Sequence, residues 1–152
     1  MEITIVCVGK IKEKYLRSGI EHYVQAIRKC LPIFLIEIPD EKAPENLSKS
    51  TEIQIKDKEG LALLHYIKED MYVITLEILG SELTTEGLIK ALKKAKQFNK
   101  EKLCFVIGGS LGLSDHVLKR SNLAISFSQM TFPHQLMRLI LSEKLAEIAP
   151  YL

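Results

Sequence analysis

Cysteine is scarce in this chain of 152 residues, and the three that occur, Cys7, Cys30 and Cys104, are far apart. No two of them form a C-x-x-C pair, and each has apolar neighbours along the sequence. The pattern favours three small buried hydrophobic side chains. It argues against a disulfide framework and against a zinc cluster, and we expect no metal.

Long apolar runs are also missing. Apolar stretches are interrupted by a charge after a few residues, far short of the roughly 20 residues that cross a bilayer. Residues 1–10 lack the basic segment, apolar stretch and small-residue cleavage site of a signal peptide. We therefore expect a cytoplasmic protein with no membrane partner.

Excess charge of either sign is small, since 21 Lys and Arg residues face 19 Asp and Glu residues for a net charge of +2. That excess does not by itself indicate a nucleic-acid partner. The charges are nevertheless segregated: residues 37–70 hold nine acids and five lysines, and residues 86–102 hold six lysines and two glutamates. The lysine cluster is either a solvated helix face or a phosphate-facing patch, and both alternatives stay open. Its members are Lys90, Lys93, Lys94, Lys96, Lys100 and Lys102.

Apolar residues, in contrast, are plentiful at 47%, with 26% charged residues, which are ordinary values for a globular protein. The length is typical of one domain, so residues 1–152 are expected to fold as a single unit with a sizeable core. No internal repeat or low-complexity segment divides the chain.

Hydrophobic periodicity predicts strands and helices in alternation. One helix face is indicated by apolar residues that recur at spacings of three or four: Tyr15 or Leu16, then Ile20, Tyr23 and Ile27. Short apolar runs predict five strands, at 3–8, 33–38, 71–78, 103–107 and 123–128. Helices between and after them complete an α/β fold with a mainly parallel sheet flanked by helices.

Three strand ends are candidate ligand sites, because ligands of open α/β sheets bind beyond the carboxyl ends of the strands. Glu77 ends a buried strand just before a glycine turn, and an acid there is either partnered or at the strand mouth. Residues 107–113 place paired glycines directly after another strand, where the backbone can approach a ligand. This segment matches neither the G-x-G-x-x-G fingerprint nor a Walker loop, which argues against a dinucleotide or triphosphate.

The third strand end, residues 126–138, joins the last strand to a helix that begins near Pro133. His134 lies in its first turn and Arg138 one turn later on the same face. Either could be structural, but the pair is a candidate for ligand contact. No Ser-His-Asp set, metal cluster or carboxylate dyad can be assembled from the spacings, and no catalytic residue is assigned.

Four segments together carry a resemblance to a known family. They are Glu-Ile-Pro-Asp-Glu-Lys-Ala-Pro-Glu-Asn (37–46), Val-Ile-Thr-Leu-Glu-Ile-Leu-Gly (73–80), Ile-Gly-Gly-Ser-Leu-Gly-Leu (107–113) and Ser-Phe-Ser-Gln-Met-Thr-Phe-Pro-His-Gln-Leu-Met-Arg (126–138). In order and spacing, residues 1–143 resemble the bacterial large-subunit rRNA pseudouridine N3-methyltransferases of the SPOUT superfamily. Such a likeness is more specific than any single glycine loop.

The resemblance implies a deep C-terminal trefoil knot, an exception to the rule against threaded connections, with knot and donor site within about 73–149. It also implies S-adenosylmethionine as the methyl donor. Carried over by position, the donor contacts are Leu76, Gly108, Phe127, Ser128, Gln129, Met130, Thr131 and Phe132. These positions lie at the same three strand ends that are candidate ligand sites by their place in the sheet.

The same resemblance implies the substrate and the partners. The reaction would transfer a methyl group to N3 of a pseudouridine in 23S rRNA, within the large subunit or the assembled ribosome. The enzyme would be a homodimer. His134 and Arg138, beside the donor segment, are candidates for orienting the RNA base or phosphate.

One departure from the family pattern suggests an alternative. Where the family has a Tyr-Arg pair this chain has Ala146 and Glu147, and it ends at Pro150-Tyr-Leu152 in place of a basic, histidine-containing tail. The alternative is a SPOUT-fold protein that binds donor or ribosome but is catalytically impaired by its shortened tail. A third hypothesis, a nucleotide-binding α/β module unrelated to RNA, depends on fold class alone.

Overall fold

The computed structural model describes all 152 residues and contains five strands and five α-helices. In chain order these are β1 (Glu2–Val8), α1 (Lys14–Arg28), β2 (Ile33–Ile38), α2 (Lys49–His65), β3 (Met71–Glu82), α3 (Thr85–Lys93), β4 (Lys102–Ile107), α4 (Asp115–Arg120), β5 (Leu123–Ser126) and α5 (His134–Ile148). Short 3₁₀ turns follow α3 at Lys94–Phe98 and α5 at Ala149–Tyr151. None of these helices has the length and apolarity needed to cross a membrane.

The strands form one sheet in the order β2-β1-β4-β3-β5, and every neighbouring pair is parallel. In the centre of the sheet Leu103 of β4 lies opposite Ile3 of β1 on one side and Tyr72 of β3 on the other. The α/β prediction is therefore confirmed. Because the strands are parallel, all five carboxyl ends meet at one edge of the sheet.

Alternating side chains divide the core between the two faces of the sheet. Ile3 and Ile5 belong to a cluster of 23 buried residues that also includes residues of α1, α3 and α5. Val6 and Val8 point the other way, into a cluster of 10 buried residues shared with α2 and α4. Burial on both faces explains why β1 and β4 are nearly continuous apolar runs, whereas the edge strand β2 leaves Phe34 and Leu35 exposed.

Two sequence expectations about burial are wrong in detail. The buried face of α1 passes through Val24, whereas Tyr23 is only half-buried and Tyr15 is 73% exposed. Tyr15 lies about 100° from Leu16 around the helix, which turns it away from the sheet. Cys30 is exposed in the turn after α1, whereas Cys7 and Cys104 are buried within strands as expected.

Strand β3 continues beyond its predicted end at residue 78, with an interruption. Leu76 and Ser81 both pair with Ile125 of β5, so residues 77–80 bulge out of the pairing with β5 before the strand returns to the same register position. Gly80 permits the return: a Cβ atom there would lie 2.6 Å from the carbonyl carbon of Ile125. We call residues 77–80 the β3 excursion. Strand β5 is shorter than predicted and ends at Ser126.

Candidate ligand-binding site

A cavity of about 810 Å³ opens at the carboxyl ends of β3, β4 and β5. Its walls come from the β3 excursion, from the glycine loop 107–113, and from residues of the segment that joins β5 to α5. The topology thus brings together the three strand ends that the sequence singled out. This is the edge at which open α/β sheets bind their ligands.

Seven of the eight predicted donor contacts line this cavity. They are Leu76, Gly108, Phe127, Ser128, Met130, Thr131 and Phe132. Gln129 is exposed and does not line it; at the same turn the Met130 N–H donates to Ser128 Oγ at 3.0 Å. The contacts with a donor stay predictions, but the residues form one continuous wall.

The glycine loop folds back on itself where it meets the cavity. The Gly112 N–H donates to the Gly109 carbonyl at 3.1 Å, and Gly112 has φ +87°, a left-handed conformation that favours glycine. A Cβ atom on Gly108 would lie 2.9 Å from the carbonyl carbon of Gly112. Paired glycines are therefore required for the tight closure of the loop, which leaves its backbone on the cavity wall.

The loop after β5 is held by its own hydroxyl groups. Ser126 Oγ donates to the Ser128 carbonyl at 2.8 Å, which tightens the chain as it leaves the strand. Pro133 then precedes the first helical residue of α5, His134, one residue later than the sequence suggests. His134 lies on the cavity wall, but Arg138 does not.

The cavity contains almost no charge. Glu77 and His134 are the only residues with ionisable side chains among the 22 that line it, and no Lys or Arg is present. Twelve of the 22 are hydrophobic. Phosphate groups are ordinarily held with help from cationic side chains, and this wall offers none.

His134 is half-buried beside the sheet edge. Burial lowers the pKa of its imidazole, Arg138 lowers it further by charge repulsion, and Asp40 acts in the opposite direction. The ring is therefore mainly neutral at pH 7, and one of its nitrogens can accept a hydrogen bond or a proton.

Arg138 is 1% exposed and faces the ends of β1 and β2 rather than the cavity. Its guanidinium pairs with Glu37 at 2.5 Å and donates to the Gly9 carbonyl at 2.9 Å and, more weakly, to the Val8 carbonyl at 3.4 Å. The RNA-orienting role expected of His134 and Arg138 stays a prediction. For Arg138 the geometry supports an indirect form of it, in which the side chain fixes the strand ends beneath His134.

Sequence reasoning missed one buried acid near the cavity. Glu59 of α2 is 5% exposed, accepts the Glu41 N–H at 3.1 Å, and lies beside Gly109 of the glycine loop. Burial raises the pKa of its carboxyl group. The hydrogen bond from the Glu41 N–H lowers this pKa but does not cancel the effect of burial. A signal was available, because Ile55, Glu59 and Leu63 are spaced by four and share the buried face of α2.

The last two members of the lysine cluster, Lys100 and Lys102, lie away from the cavity. Lys100 Nζ donates to the Met71 carbonyl at 3.0 Å, and Lys102 pairs with Asp70 at 2.7 Å, both at the amino ends of β3 and β4. For these two lysines the structure favours a local stabilising role over contact with a ligand in the cavity.

A parallel α/β sheet whose three strand-end loops enclose a largely apolar cavity defines a class of protein, the α/β proteins with a candidate small-molecule site at the carboxyl ends of their strands. Comparison with known families then identifies the family. The family described as "Predicted SPOUT methyltransferase" matches residues 1–146, and the chain belongs to this family.

Individual relatives are similar over nearly the whole chain. A protein of Alkaliphilus oremlandii (strain OhILAs) named "Ribosomal RNA large subunit methyltransferase H" is 50% identical over 145 residues, which are 95% of this chain and 91% of the relative. Proteins of the same name from Bacillus thuringiensis (strain Al Hakam) and Bacillus cereus (strain B4264) are each 49% identical over 144 residues, with the same coverage.

Proposed function

We propose that this chain is an S-adenosylmethionine-dependent methyltransferase that methylates N3 of a pseudouridine in 23S rRNA of the large ribosomal subunit. Membership of the SPOUT methyltransferase family supports methyl transfer, and the names of the relatives support large-subunit rRNA as the substrate. The observation that carries the proposal is the convergence of seven predicted donor contacts on one cavity.

The cavity fits the donor in chemistry as well as size. S-adenosylmethionine is a nucleoside without phosphates, and the wall has no Lys or Arg to hold a phosphate. The apolar residues Leu76 and Phe127 can cover an adenine ring, while the backbone of the glycine loop offers hydrogen bonds. When bound, the donor supplies an electrophilic methyl group on a sulfonium sulfur.

The chain's own residues have to hold the pyrimidine nitrogen in line with that methyl group and assist the loss of its proton. His134 lies on the cavity wall with a mainly neutral ring, so it can orient the base through a hydrogen bond. Arg138 and Glu37 would keep the start of α5 in place beneath it. The group that accepts the proton is left unassigned.

The proposal includes a homodimer that acts on the large subunit or the assembled ribosome in the cytoplasm. On α5, Leu136 packs against the larger core cluster and Met137 lines the cavity, which leaves the half-buried Ile140 as an apolar side chain that a second copy would cover. A dimer would also double the net charge of +2 per chain. Threading of the C-terminal segment into a knot stays a prediction.

The alternative, a donor- or ribosome-binding SPOUT protein without turnover, is not favoured by the relatives. Glu147, one of the two departures from the family pattern, is exposed and pairs with Lys144, away from the cavity. Ala146 packs against the larger core cluster. Neither residue lies on the cavity wall, so both hypotheses retain the donor site and differ only in turnover.

One experiment separates the two hypotheses. The protein is incubated with unmethylated large subunits or whole ribosomes and labelled S-adenosylmethionine, and we expect label in a single pseudouridine. Donor binding without incorporation would support the inert alternative, and preferential binding of NAD or ATP would support the nucleotide-binding hypothesis. His134→Ala and Arg138→Ala variants should methylate more slowly; parental rates would contradict the orienting role.

A further inference from the structure

Glu77 is the only acidic side chain on the cavity wall. It opens the β3 excursion, is half-buried, and takes no part in any of the six ion pairs of the chain. Unpaired carboxylates in partly apolar surroundings are unfavourable unless a cation or donor approaches them. The structure therefore holds a negative charge in the cavity without a partner of its own.

The surrounding wall does not neutralise this charge. His134 is the only other ionisable side chain there; Arg138 and burial both keep its ring mainly neutral at pH 7, against the opposing effect of Asp40. Twelve of the 22 lining residues are hydrophobic, which weakens screening by water. At neutral pH the cavity consequently favours a ligand that brings a positive charge.

The position of Glu77 is fixed by the backbone. Leu76 just before it and Ser81 after the excursion both pair with Ile125, and Gly80 packs directly against the Ile125 backbone. The backbone at Glu77 is thus held at the mouth of β3, and the side chain lines the cavity from that position. A fixed charge can distinguish ligands because little reorganisation accompanies binding.

We propose that Glu77 gives the cavity its preference for the positively charged methyl donor over the uncharged product of transfer. This inference depends on the proposed function. Methyl transfer breaks the bond from sulfur to the methyl carbon and forms the bond from nitrogen to that carbon. The electron pair of the broken bond stays on sulfur as the neutral thioether of S-adenosylhomocysteine, and the nitrogen releases its proton to solvent. Donor and product differ at the sulfur by one methyl group and one positive charge, so the unpaired carboxylate selects between them and favours product exchange.

Calorimetric dissociation constants for three ligands test the proposal: S-adenosylmethionine, S-adenosylhomocysteine and sinefungin, an analogue with an ammonium group near the position of the sulfonium. We expect Glu77→Gln to weaken both charged ligands about tenfold and to leave S-adenosylhomocysteine nearly unchanged. Roughly tenfold corresponds to unit charges about 10 to 12 Å apart at an effective dielectric constant of about 20.

Glu82→Gln is the matched control, because Glu82 lies on the same strand, is exposed and does not line the cavity. It should leave all three constants unchanged, and thermal unfolding should show that both variants fold. Equal weakening of all three ligands by Glu77→Gln, or no weakening, would overturn the proposal while leaving the function intact. A parent protein that binds none of the ligands would overturn both.

Discussion

A single buried guanidinium joins elements that are far apart in the sequence. Arg138 of α5 binds the carbonyls at the end of β1 and the carboxylate of Glu37 in β2, and Glu37 also accepts the Ile11 N–H at 3.3 Å. The Nε atom of Arg138 has no partner. Removal of this side chain would leave buried carbonyl groups unsatisfied beside the cavity.

We predict that Arg138→Met lowers the free energy of unfolding by about 3 kcal/mol, because a buried network loses its charged donor. Urea denaturation measures the change. Arg28→Met is the control, since Arg28 pairs with Glu21 at the surface, where both side chains are at least half exposed, and should change stability by less than about 0.5 kcal/mol. Similar small changes in both variants would contradict a structural role for Arg138.

At the residue scale, the sequence predicted which side chains belong near the site better than it predicted which way they point. It placed His134 and Arg138 on one helix face, but packing directs His134 to the cavity and Arg138 to the strand ends. It missed Glu59, whose importance arises from contact with the Glu41 N–H 18 residues earlier. Contacts between distant segments depend on how the elements pack, which local patterns do not encode.

At the scale of elements, helix α2 approaches helix α4 at a glycine. A Cβ atom on Gly60 would lie 2.2 Å from Ser114 Oγ and 3.0 Å from Ser114 Cβ. Ser114 is the N-cap of α4 and is 2% exposed, so it has little room to move. Gly60 therefore determines how closely α2 can pack against the start of α4, which follows the glycine loop.

We predict that Gly60→Ala destabilises the protein by roughly 1 to 3 kcal/mol, although alanine is the better helix former by about 1 kcal/mol. Ser114→Ala should be less harmful in the Gly60→Ala background than in the parent, which a double-mutant cycle measures. Gly19→Ala in α1 is the control, because its Cβ would meet only the flexible end of Leu139 at 2.9 Å. Equal effects of the two glycine substitutions would refute the close-contact argument.

Element positions followed closely from the sequence because periodicity and caps are local signals. Thr84 and Ser114 cap α3 and α4, with their side chains accepting the N–H groups of Gly87 and Val117. The β3 excursion was not predicted. It depends on pairing with β5, which begins more than 40 residues later and supplies the backbone against which Gly80 packs.

At the scale of the whole molecule, titration of His134 couples the cavity edge to stability. Its pKa is lowered in the folded protein, so the unfolded chain binds the proton more readily. We predict that stability is retained above the ordinary pKa of about 6.5, falls as pH decreases through the window between that value and the lowered one, and then levels off.

Chemical denaturation between pH 5 and pH 8 tests this dependence, and His134→Gln should flatten it in that window. His22→Gln, at an exposed position on α1, is the control and should leave the dependence unchanged. Glu59 changes stability with pH in the opposite direction, because its raised pKa makes the folded state bind a proton more readily than the unfolded chain. This effect is the same in the parent and in His134→Gln. An unchanged slope in His134→Gln would contradict the prediction.

The sequence by itself determined the order of strands and helices, the parallel sheet and the three strand ends that are candidate ligand sites. These follow from periodicity, glycine placement and capping, which act over a few residues. Only the tertiary structure decided that the three ends enclose one cavity, that Glu77 stands in it without a partner, and that Arg138 is buried. Those outcomes arise because packing joins residues up to 130 positions apart, as between Arg138 and Val8.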